Sequence, residues 1–509
     1  MATFGFLARS ALGLALGVVL SSCRAPSEPT NLNPTIEAVV AGVSEERIEA
    51  NLRKLEGFGT RYILSGHLGP QRGIDAAKDW LVQELSSYGP RLQVSVQSFS
   101  LPKGAAEGQV LRDVDLGNVV AVLPGRTDPA HQILITAHYD TVNLHLRPVP
   151  SDDERVRDLV ERRRVDETEA RRMTELFPRD AVRGRGDEEA TAAAEDAPGV
   201  SDDGSGVAAL LELARVMSQY EFEKTLVFVA FSAEEVALEG SKFYATRARD
   251  EGAAIEAVLN NDIIGTVVAG NGRTSADTVR VFGDGPEDSP SRALLRYTKL
   301  VGERYVPSMR VQMVFRRDRF GRGGDHTSFL TRGFAAVRLT SAAENYEQQH
   351  NAADTLENMS VAYATRVARI NAAVAASLAS APSAPVVNYT IGSGMDEGNR
   401  LPLLSRGQSG YAASLRWTPP AAADVAAYTV MIRDTTAPDW QRAIPVGAVT
   451  RHVIENLSID DVVIGVKATD RDGNESMVAA YLEPVAQRLT APPAASTVPA
   501  ASSEPSSSE

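Results

Sequence analysis

Carboxylates and imidazoles recur where short apolar runs of this chain end. His138 and Asp140 close the run "ILITAHYD", Glu234 and Glu235 follow "TLVFVAF", and Asp262 follows "AVLNN". The full set holds six carboxylates and two imidazoles: His138, Asp140, Asp202, Asp203, Glu234, Glu235, Asp262 and His350. Open α/β sheets bring such strand ends together at one edge, where these folds place their sites. That many clustered anions need cations to neutralise them.

The residue types favour zinc as the cation. Zinc prefers nitrogen and oxygen donors of this kind, and a carboxylate can bridge two ions, whereas calcium and magnesium sites rarely use imidazole. Two zinc ions can hold a water molecule and lower its pKa to about 7, and a nearby carboxylate can then take its proton. Ser205 in "SDDGSG" lacks the G-x-S-x-G elbow of a serine nucleophile. The residues therefore predict metal-assisted hydrolysis without a covalent intermediate.

Five motifs resemble those of the co-catalytic di-zinc aminopeptidases in order and context: "TAHYDT", "GVSDDGSG", "SAEEVALEGS", "NNDIIG" and "HNAADT". That family also includes leucyl aminopeptidases of the exported bacterial type, glutamate carboxypeptidases and, more distantly, glutaminyl cyclases. The resemblance extends over residues 43–380 and implies two zinc ions bridged by Asp202. It further implies that His138 and Asp262 complete one zinc site, and that Glu235 and His350 complete the other.

The same resemblance implies roles for three carboxylates that do not bind metal. Glu234 would be the general base, because alternation at the strand end turns the two adjacent glutamates to different sides. Asp140 would orient the imidazole of His138, as metal-bound histidines usually require. Asp354 would either support His350 or cap the helix that begins in "ADTLEN".

The stretch "FRRDRFGRGGDHTSF", residues 315–329, places four arginines beside Asp325 and His326. In the resembled family a DH pair at this point lies near the substrate pocket, so Asp325, His326 and Arg322 are candidate substrate-binding residues. The arginines would either bind a substrate carboxylate or form a solvated loop. Recognition of a free amine would make the enzyme an aminopeptidase, and a carboxylate clamp would make it a carboxypeptidase.

The elements that must position these residues alternate between helices and strands. Helices are predicted at residues 44–57, with Ser44 as N-cap, and at residues 73–85, 207–217 and 360–378. The runs that predict strands are "LQVSVQSF", "NVVAVL", "ILITA", "TLVFVAF" and "FAAVRL", and "AAIEAVLNND" predicts a passage from helix to strand. This order predicts an α/β domain with a mixed, mostly buried sheet flanked by helices.

One segment interrupts this pattern between two of the candidate metal ligands. Residues 151–196 hold 15 acids and 10 arginines. Such a segment is either a solvated, partly disordered insertion or a helical flap with a patchy apolar face. Because it lies between His138 and Asp202, it favours a role at the rim of the active site, where it would restrict substrates to small peptides.

The two ends of the chain have their own character. Residues 1–22 predict a signal peptide, and the small residues before Cys23 resemble the lipobox of bacterial lipoproteins, with Cys23 as the lipidated residue. Residues 23–42 predict a tether, and Arg24 after the cysteine favours export to the outer membrane. Short alternating strands at residues 384–486 predict a small all-β sandwich that resembles a fibronectin type III module, followed by a disordered tail at residues 487–509.

Composition narrows the function further. The chain has 509 residues and a net charge of -14, which argues against nucleic acid as a partner. We therefore expect an exported zinc exopeptidase of the bacterial cell envelope, anchored by lipid or free in the periplasm or outside the cell, that acts as an aminopeptidase on peptides. The alternatives on the same fold are a carboxypeptidase and a glutaminyl cyclase-like acyltransferase that uses one metal. A binding protein with a degenerate peptidase domain would have lost ligands, and none is missing here.

Overall fold

The computed structural model describes residues 32–144, 156, 160, 166–176, 196–390 and 400–482. Eight strands form the central sheet: β1 (Gln93–Leu101), β2 (Val114–Leu123), β3 (Asp128–His138), β4 (Lys224–Phe231), β5 (Ala254–Asn261), β6 (Thr278–Gly283), β7 (Arg310–Val314) and β8 (Ala336–Ser341). Their order across the sheet is β1-β2-β4-β3-β5-β8-β6-β7. The neighbours β4, β3, β5 and β8 are parallel, so their carboxyl ends meet at one edge. The predicted mixed sheet is confirmed.

Helices cover both faces of this sheet. They are α1 (Pro34–Ala41), α2 (Glu45–Glu56), α3 (Ile74–Ser87), α4 (Ala105–Gly108), α5 (Glu167–Leu176), α6 (Ser205–Met217), α7 (Glu239–Asp250), α8 (Pro290–Tyr305), α9 (His326–Leu330) and α10 (Val361–Ser380). Buried side chains of α6 and α10 share one core with the sheet, and those of α7 and α9 belong to a smaller core. Alanine is small, so the alanine-rich α10 can approach the sheet closely. Both layers are therefore needed to bury the parallel strands.

The helix predicted at residues 44–57 spans Glu45–Glu56. The Ser44 hydroxyl caps it, accepting a hydrogen bond from the amide of Arg47 at 3.2 Å. Within the described ranges, no helix combines the length and apolar character needed to cross a bilayer.

Two elements differ from their prediction. Residues 34–41, predicted as tether, form α1, which Asn33 caps and which buries Ile36 and Val39 in the core. The stretch "AAIEAVLNND" contains no helix, because residues 254–261 form strand β5 between β3 and β8. Alanine and glutamate favour a helix there, but hydrogen bonds to strands on both sides override this local preference.

Other predictions fall partly or wholly on residues outside those described. In the charged segment 151–196, α5 forms a helix, and the side chains of Val156 and Ala170 are buried. The predicted signal peptide, Cys23 and the tail at residues 487–509 lie outside the described residues. The rim role of the segment and the lipid anchor both stay predictions.

The C-terminal part is a small all-β sandwich, as predicted. One sheet joins β11 (Leu404–Arg406), β12 (Ala412–Arg416) and β15 (Arg451–Glu455). The other joins β14 (Arg442–Gly447), β13 (Val425–Asp434), β16 (Val462–Asp470) and β17 (Ala479–Ala480), while β9 (Asn388–Thr390) pairs with β10 (Arg400–Pro402). Trp417 and Tyr428 pack in the core with ring centroids 5.5 Å apart. The fibronectin type III assignment stays a prediction.

A buried ion cluster joins the sandwich to the larger domain. The Arg433 side chain, on β13, is fully buried and lies 2.6 Å from a carboxylate oxygen of Asp288 and 2.7 Å from one of Glu287. Arg296, on α8, binds the same Asp288 at 2.8 Å. Buried ion pairs of this kind favour one relative position of their partners, so they hold the sandwich against α8.

Candidate metal centre

The candidate ligands lie where the four parallel strands end. His138 is the last residue of β3, Glu235 follows β4 by four residues, and Asp262 directly follows β5. His350 lies in the loop that follows β8. The structure therefore brings residues from distant parts of the chain to one sheet edge, as expected for an open α/β sheet.

Asp202 lies between the two histidines. One of its carboxylate oxygens, Oδ1, is 3.1 Å from Nε2 of His138, and the other, Oδ2, is 3.0 Å from Nε2 of His350. Two atoms bound to one tetrahedral zinc at about 2.0–2.1 Å lie about 3.3 Å apart. Asp202 thus has the placement of a carboxylate that bridges two ions, with one histidine on each side.

Two overlapping groups of donors complete this arrangement. His138, Asp202 and Asp262 form one, and Asp202, Glu235 and His350 form the other, each with donor atoms within 4.8 Å of one another. The separations are 4.0 Å from His138 Nε2 to Asp262 Oδ1, and 3.4 Å from His350 Nε2 to Glu235 Oε1. Carboxylate and imidazole donors at these separations fit zinc. A third group, His138 with Glu234 and Glu235, overlaps both.

The charges around these donors interact strongly. Burial disfavours charged His138, but Glu234 and the hydrogen-bonded Asp140 and Asp202 outweigh it and raise its pKa well above the usual value. Burial likewise raises the pKa of Glu235 to about 7. These directions describe the metal-free donors. They show an excess of negative charge that bound cations would relieve.

Asp140 organises the site without facing the cluster of donors. Its two carboxylate oxygens accept hydrogen bonds from the amides of Glu234 and Glu235, at 3.0 and 3.1 Å. Its Oδ1 is 3.6 Å from Nδ1 of His138, and that nitrogen also lies 3.1 Å from the Asp140 carbonyl oxygen. One carboxylate therefore fixes the turn that carries both glutamates and lies beside the histidine that it was predicted to orient.

The loop that carries Asp202 is held from two sides. Asp354 accepts hydrogen bonds from the amides of Ser201 and Asp202 at 2.8 and 2.9 Å. It therefore supports the loop of Asp202 rather than His350, and it caps no helix. Burial raises its pKa to about 7.

Arg61, which sequence reasoning missed, holds the other side of this loop. Its fully buried guanidinium donates to the carbonyls of Tyr139, Pro198 and Gly199, at 2.6, 2.6 and 2.9 Å. Burial lowers its pKa to about 10, although Asp354 and Asp140 favour its charged form. The arginine thus links the segment after β3 to the loop before Asp202.

Arg338 is the second missed residue. It lies on β8, is fully buried, and places one guanidinium nitrogen 2.8 Å from Asp262 and another 2.9 Å from Asp318. Although burial raises it, Arg338 and Arg319 hold the pKa of Asp318 well below its usual value. The sequence feature that could have identified Arg338 is a charged residue inside the apolar run "FAAVRL". A buried arginine there requires a carboxylate partner, but the sequence does not say which one.

Backbone strain is concentrated at the same edge. Ala233, Ile263 and His350 have φ values of 59°, 63° and 56°, in the left-handed region. This region is unfavourable for residues other than glycine, and a β-branched isoleucine there is a true outlier. Each of the three is a candidate ligand or lies within two residues of one. Strain of this kind persists where the surrounding structure imposes it, and it clusters at functional sites.

The predicted substrate-binding residues have different surroundings. Arg322 is partly exposed and donates to Gln349, the neighbour of His350, at 3.1 Å. Asp325 is fully buried, and burial raises its pKa to about 7. His326 is also buried, with Nε2 donating to the carbonyl of Arg317 at 2.7 Å. His326 therefore holds its own loop through Nε2, and the substrate-binding role of Asp325, His326 and Arg322 stays a prediction.

The sequence matches known proteins over most of its length. The model of "Peptidase family M28" matches residues 118–375. A probable zinc metalloprotease of Pyrenophora tritici-repentis is 31% identical over 477 residues, which cover 87% of this chain and 85% of that protein. One of Pyricularia oryzae is 34% identical over 478 residues, covering 87% of this chain and 83% of that protein.

Solved structures with a similar chain path include two enzymes. The LapA aminopeptidase of Legionella pneumophila is 20% identical, with a TM-score of 0.46, and the match covers 68% of this chain and 75% of that one. The glutaminyl cyclase of Macrostomum lignano is 16% identical, with a TM-score of 0.47, and the match covers 68% of this chain and 92% of that one.

Proposed function

The chain belongs to peptidase family M28, and on that premise we propose that it is a di-zinc aminopeptidase that removes N-terminal residues from peptides. The observation that carries the proposal is the placement of Asp202, with one carboxylate oxygen beside each of two histidines. A single-metal site would not need a carboxylate shared in this way.

The donors of this chain divide between two ions. His138, Asp202 and Asp262 would hold one zinc, and Asp202, Glu235 and His350 would hold the other. When bound there, zinc would polarise the scissile carbonyl and lower the pKa of a water molecule to about 7. Asp140 would keep the imidazole of His138 in place, as such ligands generally require.

Glu234 is the group that we assign to proton transfer. It stands beside Glu235 but is outside the two donor groups that share Asp202. The residue is not completely buried and keeps some solvent access. Burial, with Asp262 and Glu235 nearby, raises its pKa well above the usual value, which favours a carboxyl able to accept a proton and later donate it. Glu234 would take the proton of the attacking water and deliver it to the leaving amine.

The proposal is tested with free-amine and N-blocked peptides and with Glu234→Ala. The wild type should cleave only free-amine peptides and bind two zinc ions per chain. Glu234→Ala should lower kcat by about 10²- to 10⁴-fold and retain both ions, because it removes a proton carrier and no ligand. Glu239→Ala, which removes a glutamate paired with Lys242 on α7, is the matched control and should keep full activity.

Other results would assign a different function. Equal cleavage of blocked peptides would exclude an aminopeptidase and favour a carboxypeptidase. One zinc per chain in an active enzyme would favour the cyclase-like reaction. Full activity in Glu234→Ala would show that another group moves the proton.

We also propose that the protein is exported and anchored by lipid at Cys23. The support is the sequence alone, in which an apolar run of signal-peptide length ends in small residues and the chain's one cysteine. The wild type should partition into detergent and Cys23→Ser into the aqueous phase. Equal partitioning of the two would contradict the anchor.

A further inference from the structure

The loop of residues 315–329 carries four arginines, and two of them are already paired. Arg317 lies 2.7 Å from Asp284. Arg319 is almost fully buried and lies 2.9 Å from Asp318 and 2.5 Å from Glu344. Arg319 is committed to buried carboxylates, whereas Arg317 binds Asp284 through Nε and its side chain is 54% exposed. Residues 316, 317 and 320–322 are exposed, so a solvated loop, one of the two sequence-based alternatives, stays open for them.

Arg322 is placed differently. Its only hydrogen bond within the described ranges is to Gln349, and its distance to the nearest carboxylate, Glu344, is 4.0 Å. The guanidinium lies over the ring of Tyr346, 5.7 Å from the centroid, which fixes its plane. Its side chain is 32% exposed. It therefore presents unused donors at an accessible position.

Arg322 is the outermost cation of a buried charge cluster. Four guanidiniums and three carboxylates belong to this cluster: Arg280, Arg319, Arg322, Arg338, Asp262, Asp318 and Glu344. The side chain of Arg322 is the most exposed of the four cations, at 32% against 18% for Arg280, 8% for Arg319 and 0% for Arg338. An accessible guanidinium attracts anions.

Two observations place the loop of Arg322 next to the candidate metal centre. A Cβ built on Gly324 would lie 3.1 Å from Oδ2 of Asp262, so this loop lines one of the two donor groups. Arg322 is two residues before Gly324, which puts their Cα atoms at most about 7 Å apart. The Arg322 side chain ends on Gln349, directly before His350 of the other donor group. The loop that carries Arg322 therefore borders one donor group, and the Arg322 side chain contacts the neighbour of a residue in the other.

We propose that Arg322 binds the C-terminal carboxylate of short peptide substrates, so that the enzyme prefers dipeptides and tripeptides with a free carboxylate. A guanidinium and a carboxylate match in shape and form two parallel hydrogen bonds. Peptides would thus be held at both ends, by the metal centre at the N-terminus and by Arg322 at the C-terminus. This inference rests on the proposed aminopeptidase function.

The test compares leucyl-leucine with its C-terminal amide. The two peptides share shape and free amine and differ in the negative charge that Arg322 would bind. The wild type should have a kcat/KM about 10- to 100-fold higher for the free acid, and Arg322→Met should reduce this ratio to about one by slowing the acid alone. Arg322→Lys should give an intermediate ratio, because lysine keeps the charge and loses the paired geometry.

The ratio of two substrates does not depend on how much of a variant is correctly folded. Arg316→Met, which changes an exposed arginine of the same loop, is the matched control and should keep the wild-type ratio. A wild-type ratio near one, or an unchanged ratio in Arg322→Met, would overturn the inference and leave the aminopeptidase intact. If wild type with bound zinc hydrolysed no free-amine peptide, whatever its N-terminal residue, the aminopeptidase itself would be refuted, and the inference with it.

Discussion

Asp140→Asn is the sharpest test of how this chain positions its metal ligands. The substitution keeps the size of the side chain and replaces one carboxylate oxygen with an NH₂ group. Both oxygens of Asp140 accept backbone amides, from Glu234 and Glu235. In the variant, one of those amides must face a donor instead of an acceptor, whichever way the Asn side chain turns.

The magnitude follows from that mismatch. A buried donor left without its acceptor costs about 1–3 kcal/mol. The metal-free protein would be free to relax the turn that carries Glu234 and Glu235, whereas the proposed zinc site requires Glu235 in place. The penalty should therefore lower zinc affinity, by about 5- to 150-fold, since 1.4 kcal/mol corresponds to tenfold. Partners that orient metal ligands typically have effects of this size.

The assay is a zinc titration against a competing chelator, combined with urea unfolding of the metal-free protein. Asp128→Asn is the matched control, because Asp128 lies 2.7 Å from His131 at the start of β3, the end opposite His138. The control should bind zinc as the wild type does. If Asp140→Asn keeps zinc affinity within threefold, or if it only lowers stability without changing affinity, the positioning role of Asp140 is refuted.

The remaining predictions concern the domain contact and the effect of pH. Arg433→Met should lower the free energy of unfolding, measured by chemical denaturation, by about 3–5 kcal/mol, because it leaves Asp288 buried with one cation fewer. The exposed pair of Arg406 and Asp460 provides the control, since Arg406→Met should change the free energy of unfolding by at most about 1 kcal/mol. An equal effect of both substitutions would contradict a stabilising role of the buried ion cluster between the sandwich and the larger domain. The metal-free protein should lose stability as pH rises from about 4 to 7, because Asp354 and Glu235, with folded pKa values of about 7, bind protons that the unfolded chain has already released. Thermal unfolding across this range measures the loss, zinc should reverse it, and a metal-free protein that gained stability toward pH 7 would contradict the charge excess.

Two of the candidate metal donors could be predicted from the sequence because each follows a buried strand. A buried strand has a recognisable apolar run, and polar residues mark its carboxyl end. His138 after "ILITA" and Asp262 after "AVLNN" follow this rule, and parallel pairing of β3 and β5 then places them together. The roles predicted for these residues came from the order of the five motifs, because the strand pattern alone does not indicate them.

The supporting residues could not be predicted, because their partners are far away in the chain. Arg61 binds carbonyls of residues 198 and 199, and Arg338 binds Asp318 across the end of the sheet. No local pattern encodes such a contact. Strand β5 was partly assigned to a helix for a related reason, since its pairing with β3 and β8 decides its structure.

The two missed arginines explain how this chain can gather so many anions before any metal binds. The site and its borders hold eight carboxylates: Asp140, Asp202, Asp203, Glu234, Glu235, Asp262, Asp325 and Asp354. Arg338 forms an ion pair with Asp262, and Arg61 donates hydrogen bonds to carbonyl oxygens of the loop before Asp202. Neither cation therefore occupies the position between His138 and His350. Fixed cations behind the ligands reduce the repulsion among carboxylates and still leave the space at Asp202 to zinc. A chain that neutralised these acids with cations among the donors would fold more easily and bind no metal.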